Sequence, residues 1–131
     1  MTETGSHITH LHTVAVPVAD QDRALEFYLG KLGFEKRLDG TFGEGLRWLE
    51  VAPPGAVTTI ALVATSASVP EVTGSETGIR LSTEDAEGDH ADLRARGVDV
   101  AADIIRMGDS VPPMFLFRDP DGNRYVVVEQ P

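Results

Sequence analysis

The apolar positions of this chain form two helical stripes set among short runs of strand-like character. Helical spacing joins Ala24, Leu25, Tyr28, Leu29 and Leu32, and more weakly Ala86, His90 and Leu93. The acidic residues Asp20 and Glu84 stand at the two helix starts, and Asp20 suits an N-cap. Gly33 suits the C′ position of the first helix, and the second stripe ends at Gly97. The pattern therefore predicts two short helices of similar design.

Short apolar runs bounded by turn residues predict eight strands around these helices. The predicted strands cover residues 11–18, 34–38, 46–51, 58–63, 79–82, 98–101, 114–118 and 124–129. Turn sequences occur at 39–40, 53–55 and 119–122, and we interpret 40–45 as a loop between strands. A stretch rich in Ser, Ala, Thr and Pro at 64–75 is typical of a linker.

The order of one strand, one helix and three strands occurs twice, which indicates an internal duplication. The offset from Asp20 to Glu84 equals the offset from Gly33 to Gly97, at 64 residues. We therefore predict a single α+β domain over 1–131, with a first module at about 8–63, the linker at about 64–75 and a second module at about 76–129.

Composition narrows the chemistry open to such a domain. The 131 residues include no cysteine, and 21 acidic against 11 basic side chains give a net charge of -10. Without cysteine there is no disulfide, thiol nucleophile or thiolate-held metal, so a metal would need His, Asp or Glu ligands. The negative charge disfavours nucleic acid and anionic membranes as partners, and no apolar run approaches a membrane span. We expect a cytoplasmic protein.

Three parts of the sequence resemble a known family: LHTVAVPVAD at 11–20, ALEFY and LGFE within 24–35, and FRDPDGN at 117–123. They are similar to the vicinal oxygen chelate superfamily, which includes glyoxalase I, extradiol dioxygenases and the fosfomycin and bleomycin resistance proteins. The resemblance implies two tandem βαβββ modules whose mixed sheets curl into a cup. It also implies a homodimer, since members often pair modules across chains.

Metal-dependent members of this superfamily hold a divalent ion at the centre of the cup, on one side chain from each of four strands. The resemblance places these positions at Thr13, near Ala61, at Gly78 and at Val126, none of which is an ordinary metal ligand. We therefore expect no metal and no cofactor.

Three histidines lie near or outside this set. His12 directly precedes Thr13, and His10 lies two residues before His12. Strand alternation turns His12 to the face opposite Thr13, although a bulge in the first strand would bring one of the two histidines inward. We interpret both as residues of a strand or its start, and His90 as a surface or half-buried helix residue.

Alternation from the end positions assigns further residues to the inside of the cup. Arg80 then lies with Gly78, and Arg124 lies with Val126 but near the rim. We expect Arg80 to pair with a carboxylate such as Glu50, and the other interpretation is that it binds an anionic group of a ligand.

Trp48 and Glu50 share one face of their strand, and Met114 faces away from Phe115. The alternation leaves open which of these faces lines the cup, and most aromatic side chains are expected to pack as core. The candidate ligand-binding residues are Thr13, Trp48, Glu50, Arg80, Met114, Arg124 and Val126.

The loss of ordinary ligands at all four positions favours a metal-free protein that binds a small organic molecule, as the resemblance to bleomycin resistance proteins implies. The alternative is a glyoxalase- or extradiol-type enzyme, acting as a lyase, isomerase or dioxygenase with a non-standard site. Such an enzyme would use a displaced histidine, or Glu50 with a raised pKa beside Arg80 or His12. A dimeric scaffold is a third interpretation, which the sequence does not separate from the first.

Overall fold

A computed structural model describes residues 5–65 and 74–130. Its elements are β1 (Thr13–Val18), α1 (Gln21–Gly30), β2 (Glu35–Phe42), β3 (Leu46–Ala52), β4 (Thr59–Ala64), β5 (Glu76–Thr83), α2 (Ala86–Ala95), β6 (Asp99–Val100), β7 (Met114–Arg118) and β8 (Arg124–Glu129). Every predicted strand and helix has a counterpart, and β7 and β8 have the predicted bounds. Most of the predicted linker, residues 66–73, lies outside the described residues, whereas Ala64 belongs to β4.

Two four-stranded sheets form the framework, with strand orders β1-β4-β3-β2 and β5-β8-β7-β6. In each sheet the strand before the helix pairs in parallel with the last strand of its own module, and the other pairs are antiparallel. The predicted α+β fold of two βαβββ modules with mixed sheets is confirmed. No helix in the described segments has the length and apolar character needed to cross a membrane.

Side-chain caps fix where both helices begin. The Asp20 carboxylate accepts hydrogen bonds from two backbone N–H groups of the first turn, as predicted for an N-cap. The second N-cap is Asp85 and not Glu84, because the shorter side chain accepts from the Gly88 N–H at 3.0 Å. Gly33, with a φ of 76°, lies two residues after the first C-cap and not one as predicted.

The predicted turn at 39–40 is wrong. Asp39 and Gly40 lie inside β2 and pair with β3. Asp39 is a strand residue here because its carboxylate accepts from Nε and Nη2 of Arg47 on β3, both at 2.9 Å. The chain reverses instead at 43–45, where two glycines have φ values of 59° and 86°.

β5 begins earlier than predicted and contains a bulge. Glu76 pairs with Arg124 and Arg80 pairs with Val126. Between these two pairs β5 advances by four residues, whereas β8 advances by only two. Gly78 lies within this bulge with a φ of 73°. A bulge breaks the period of two, which is why the pattern of apolar residues shows only the second half of this strand.

One face of the first sheet packs against α1, and one face of the second sheet packs against α2; these two faces form the core. Fully buried side chains on these faces include Val16, Val18, Leu49, Val51 and Leu62 in the first sheet and Phe115, Phe117 and Tyr125 in the second. The aromatic residues of β7 and β8 thus pack as core, as expected. We call the opposite faces, which neither helix covers, the first open face (β1–β4) and the second open face (β5–β8).

A buried polar cluster joins the two modules. The Tyr28 hydroxyl of α1 donates to Asp119 Oδ2 at 2.7 Å and lies 2.5 Å from the Tyr125 hydroxyl. Asn123 donates to Asp119 and to a backbone carbonyl of β1. The turn predicted at 119–122 is present. Its first residue, Asp119, accepts the hydrogen bonds from Tyr28 and Asn123.

Candidate functional site

Strand pairing brings a carboxylate and an indole together on the first open face. Directly paired residues share a face, and Thr13 pairs with Thr59 while Glu50 pairs with Ala61. Trp48 lies two residues from Glu50 on β3 and therefore shares its face. The structure thus assigns Thr13, Trp48 and Glu50 to one surface, across three adjacent strands.

Hydrogen bonds join these side chains into one chain of contacts, which we call the Glu50 network. Trp48 Nε1 donates to Glu50 Oε2 and Thr59 Oγ1 donates to Glu50 Oε1, each at 2.8 Å. The Thr13 and Thr59 hydroxyl oxygens lie 2.8 Å apart, and the Thr13 hydroxyl also lies 3.2 Å from Thr59 O. Glu50 is only 5% exposed and Thr59 only 6%, whereas Trp48 is half-buried. The indole is therefore the part of the network that faces outward.

The Glu50 carboxylate is held in its ionised form. Burial raises its pKa, but the hydrogen bonds from Trp48 and Thr59 and the electrostatic influence of the nearby His12 outweigh burial and leave the pKa below its ordinary value. A general acid at neutral pH needs a raised pKa. The expectation that Glu50 carries a proton with a raised pKa is therefore wrong.

Three large apolar side chains of the first open face are exposed. Leu38 is 42% exposed, Phe42 is 51% exposed and Leu46 is 56% exposed. Leu38 pairs with Glu50 and Phe42 pairs with Leu46, so all three side chains lie beside Trp48 on this face. Contiguous exposed apolar surface of this kind marks a binding site for a ligand or a partner.

The second open face carries Arg80 and Val126, which pair directly, and Met114. Arg80 is exposed, and in the described part of the chain it forms no ion pair with Glu50 or any other carboxylate. The predicted Glu50–Arg80 pair is wrong, because Glu50 lies on the other sheet and its oxygens accept from neutral donors there.

Arg124 lies at the start of β8, at the edge of the second open face. Its guanidinium is exposed, and Nε lies 3.6 Å from Glu76 Oε1. An exposed ion pair of this kind contributes at most about 1 kcal/mol. Arg124 thus has a carboxylate neighbour, whereas Arg80 presents its charge to solvent.

The residues at the family's four metal-ligand positions do not fit a metal. Ala61, Gly78 and Val126 have no donor atom in their side chains, and the Thr13 hydroxyl is engaged within the Glu50 network. Over residues 5–65 and 74–130, no three His, Asp or Glu side chains come close enough to hold an ion.

The histidines in the described part of the chain do not form a metal site either. His10 and His12 are exposed. His90 is buried more deeply than expected, with Nε2 2.8 Å from Ala101 O and its ring 5.2 Å from that of Phe115 in an edge-to-face contact. Its role is that of a core residue of α2.

A cavity of about 650 Å³ lies where the first sheet approaches β5. Its walls include Leu11, Val14, Ile60, Ile79, Arg80 and Leu81. Successive residues 77–82 of β5 all border the cavity, so it follows the strand edge and not one face of the sheet. The pattern of apolar residues does not reveal this cavity, since it depends on how the two modules are placed.

Thr59 is a site residue that the sequence interpretation missed. It is buried and supplies the second hydrogen bond to Glu50. A signal for it was present, because Thr59 lies two residues before Ala61 and alternation places both on the same face.

Comparison with known proteins agrees with this fold. The model of the Glyoxalase/Bleomycin resistance protein/Dioxygenase superfamily matches residues 10–127. The chain belongs to this superfamily, which confirms the family resemblance seen in the sequence.

Individual relatives cover nearly the whole chain. A solved member of the superfamily from Sphaerobacter thermophilus is 35% identical, with a TM-score of 0.84 over 94% of this chain and 98% of that one. TnmS3, an antibiotic binding protein from Streptomyces sp. CB03234, is also 35% identical, with a TM-score of 0.82 over 97% of this chain and 100% of that one. The protein YetH of Bacillus subtilis is 33% identical over 127 residues, which are 93% of this chain and 99% of YetH.

Proposed function

We propose that this protein binds a small organic molecule on its open faces, with Trp48 of the first open face as the main contact, and without a metal ion. The observation that carries the proposal is the half-buried Trp48, held by the buried Glu50 network and surrounded by exposed apolar side chains. Binding sites for small molecules combine such apolar surface with a few fixed polar groups. The likeness to an antibiotic binding protein over 97% of this chain supports a binding role.

The proposed ligand-binding residues are the candidates on the open faces of both modules. On the first open face they are Thr13, Trp48 and Glu50, of which Trp48 faces outward and the buried Glu50 acts through it. On the second open face they are Arg80, Met114, Val126 and Arg124. Arg80 is the side chain suited to an anionic group of the ligand, because it is exposed and carries no ion pair in the described part of the chain.

We also propose that two copies associate as a homodimer that covers the exposed Phe42 and Leu46 and leaves Trp48 and Leu38 to the ligand. Sedimentation velocity is expected to give about twice the chain mass of 14.1 kDa. Leu46→Asp should shift the protein towards monomer, whereas Ala91→Asp, which adds the same charge to the exposed surface of α2, should not. A wild-type protein that stays monomeric at high micromolar concentration would contradict the dimer.

The binding proposal is tested by metal analysis followed by a ligand screen. Purified protein is expected to contain no stoichiometric Ni, Zn, Fe or Mn, and thermal shifts from a small-molecule panel should be unchanged by chelator. Trp48→Ala should bind the hits of the screen more weakly than wild type does. Stoichiometric metal bound with micromolar or better affinity, or hits that depend on a metal, would overturn it.

A further inference from the structure

The cavity beside β5, of about 650 Å³, opens on the core side of the sheets and not on an open face. Val14 of β1 borders it and, by alternation, shares its face with the fully buried Val16 and Val18. Ile79 and Leu81 of β5 border it from the second module and pack against the core. The cavity is therefore a part of the space between the two modules that no side chain fills.

The size and the apolar lining of the cavity suit a small molecule. Ligand pockets usually enclose about 300–1,000 Å³ and are lined mainly by apolar side chains. Both modules contribute apolar side chains to this lining, namely Leu11, Val14, Val57, Ile60, Ile79 and Leu81. Val57 is 71% exposed, so the cavity is open to solvent beside the loop between β3 and β4. A ligand that removes this apolar surface from water lowers the free energy.

Most polar side chains that border the cavity are already engaged. Three threonine hydroxyls donate to backbone carbonyls or to the Glu50 carboxylate, those of Thr58, Thr59 and Thr77. Within residues 5–65 and 74–130, the side chains of Arg80 and Ser82 form no hydrogen bond or ion pair with the protein. These two residues alternate with Ile79 and Leu81 and share one face of β5. The polar groups of the lining that remain available to a ligand thus lie together on one strand.

Arg80 lacks the carboxylate partner that most described arginines have. The chain has 21 acidic against 11 basic side chains, so carboxylates are plentiful. Five other arginines lie within 3.8 Å of one, namely Arg37, Arg47, Arg106, Arg118 and Arg124. A guanidinium binds a carboxylate through two parallel hydrogen bonds. Arg80 is therefore available to a carboxylate that comes from outside the protein.

We propose that the cavity is a second binding site, for a monocarboxylate with a flexible apolar chain. The apolar chain lies against the lining, and the carboxylate accepts hydrogen bonds from Arg80 and Ser82 at the edge of β5. This site goes beyond the binding proposed for the open faces, because Arg80 is the one residue of that proposal that borders the cavity.

Three ligands separate the contributions of charge and chain in titration calorimetry: decanoate, decyltrimethylammonium and butyrate. Decanoate is expected to bind once per chain and at least about 10-fold more tightly than either of the others. The net charge of -10 attracts the ammonium and repels the carboxylate, so a preference for decanoate has to come from the local site. No binding of decanoate, or equal or tighter binding of either comparison ligand, would overturn the proposal.

Arginine variants locate the carboxylate. Arg80→Gln should weaken decanoate binding at least about 10-fold, because the charged bidentate donor is lost. Arg94→Gln, on the exposed surface of α2, changes the net charge by the same amount and should leave binding within about 2-fold. Equal effects of the two variants would contradict a carboxylate bound at Arg80.

A carboxylate introduced into the lining should exclude the apolar chain. Val57→Asp should weaken decanoate binding at least about 10-fold. Because Val57 is exposed, we expect the variant to fold, which urea unfolding checks. Met107→Asp, at an exposed apolar residue outside the lining, should leave binding within about 2-fold. Unchanged binding in Val57→Asp would overturn the site, as would a protein that binds no decanoate and becomes monomeric in this variant, since a second copy would then cover the cavity.

Trp48→Ala distinguishes the cavity from the first open face. Decanoate should bind this variant within about 2-fold of wild type, because Trp48 does not border the cavity. A loss of about 10-fold or more would place decanoate on the first open face and overturn the second site. If the hits of the ligand screen bind Trp48→Ala as tightly as wild type while decanoate binding depends on Arg80 and Val57, the open-face proposal fails and the cavity site stands.

Discussion

Tyr28 shows how much one hydroxyl can matter in this molecule. It contacts both Asp119 and Tyr125, and so joins helix α1 of the first module to the last turn and strand of the second. Burial and the neighbouring Tyr125 and Asp119 raise the pKa of Tyr28 far above its ordinary value. The hydroxyl therefore stays protonated and remains a donor to the carboxylate.

Removing this hydroxyl should destabilise the fold. Tyr28→Phe leaves the buried Asp119 without one of its donors, which costs about 1–3 kcal/mol of unfolding free energy. Tyr125→Phe removes only the contact with Tyr28 and should cost less. Urea unfolding, followed by Trp48 fluorescence, measures both values. An equal or larger loss in Tyr125→Phe would show that the contact with Asp119 is not the main one.

Glu50 should make stability depend on pH. Its pKa is lower in the folded protein than its ordinary value, so its ionised form favours folding. This contribution is complete above the ordinary pKa of the group and is lost as the pH falls through the folded-state pKa. Glu50→Gln should cost about 1–2 kcal/mol at pH 7 and progressively less at acid pH.

The comparison with an exposed carboxylate isolates this effect. Glu26→Gln, on the exposed surface of α1, should show no such trend between pH 7 and pH 3. The measurement is the difference in urea-unfolding free energy between each variant and wild type at each pH. A Glu50→Gln deficit that grows on acidification would contradict a lowered pKa.

At the scale of elements, the bulge of β5 depends on one backbone conformation. Gly78 has a φ of 73° and open space around the position of a Cβ, so Gly78→Ala should be destabilising through the backbone alone, by about 1–2 kcal/mol. Gly30, at the end of α1, also has open space but no positive φ. Gly30→Ala should therefore stabilise by about 0.5–1 kcal/mol. Thermal unfolding of the pair checks the opposite signs.

The helices and strands were largely predictable from the sequence, and each error in predicting them has a physical cause. The pattern of turn residues placed a reversal at Asp39, which is the usual role of Asp-Gly, but Arg47 across the hairpin makes Asp39 a strand residue. The start of β5 was hidden by its bulge. In both cases a neighbouring strand, which a local pattern does not contain, decided the outcome.

At the scale of the whole molecule, the duplication was visible because each module has its own capped helix and its own turns. Alternation also placed Trp48 and Glu50 on one face. The partner of Glu50 was not predictable, since the choice between Arg80 and Thr59 depends on which sheet lies beside it. The cavity along β5 likewise arises from the placement of one module against the other.

Metal-free binding on the first open face is tested most directly by titrating chelator-treated protein with ligand. The signal to follow is the nuclear magnetic resonance of the single indole N–H. The tightest compound from the ligand screen is expected to shift the Trp48 indole signal and the amides of β2 and β3. The affinity should be the same with and without added divalent metal. Binding that requires the metal, or shifts that leave Trp48 and both strands unchanged, would contradict metal-free binding on the first open face.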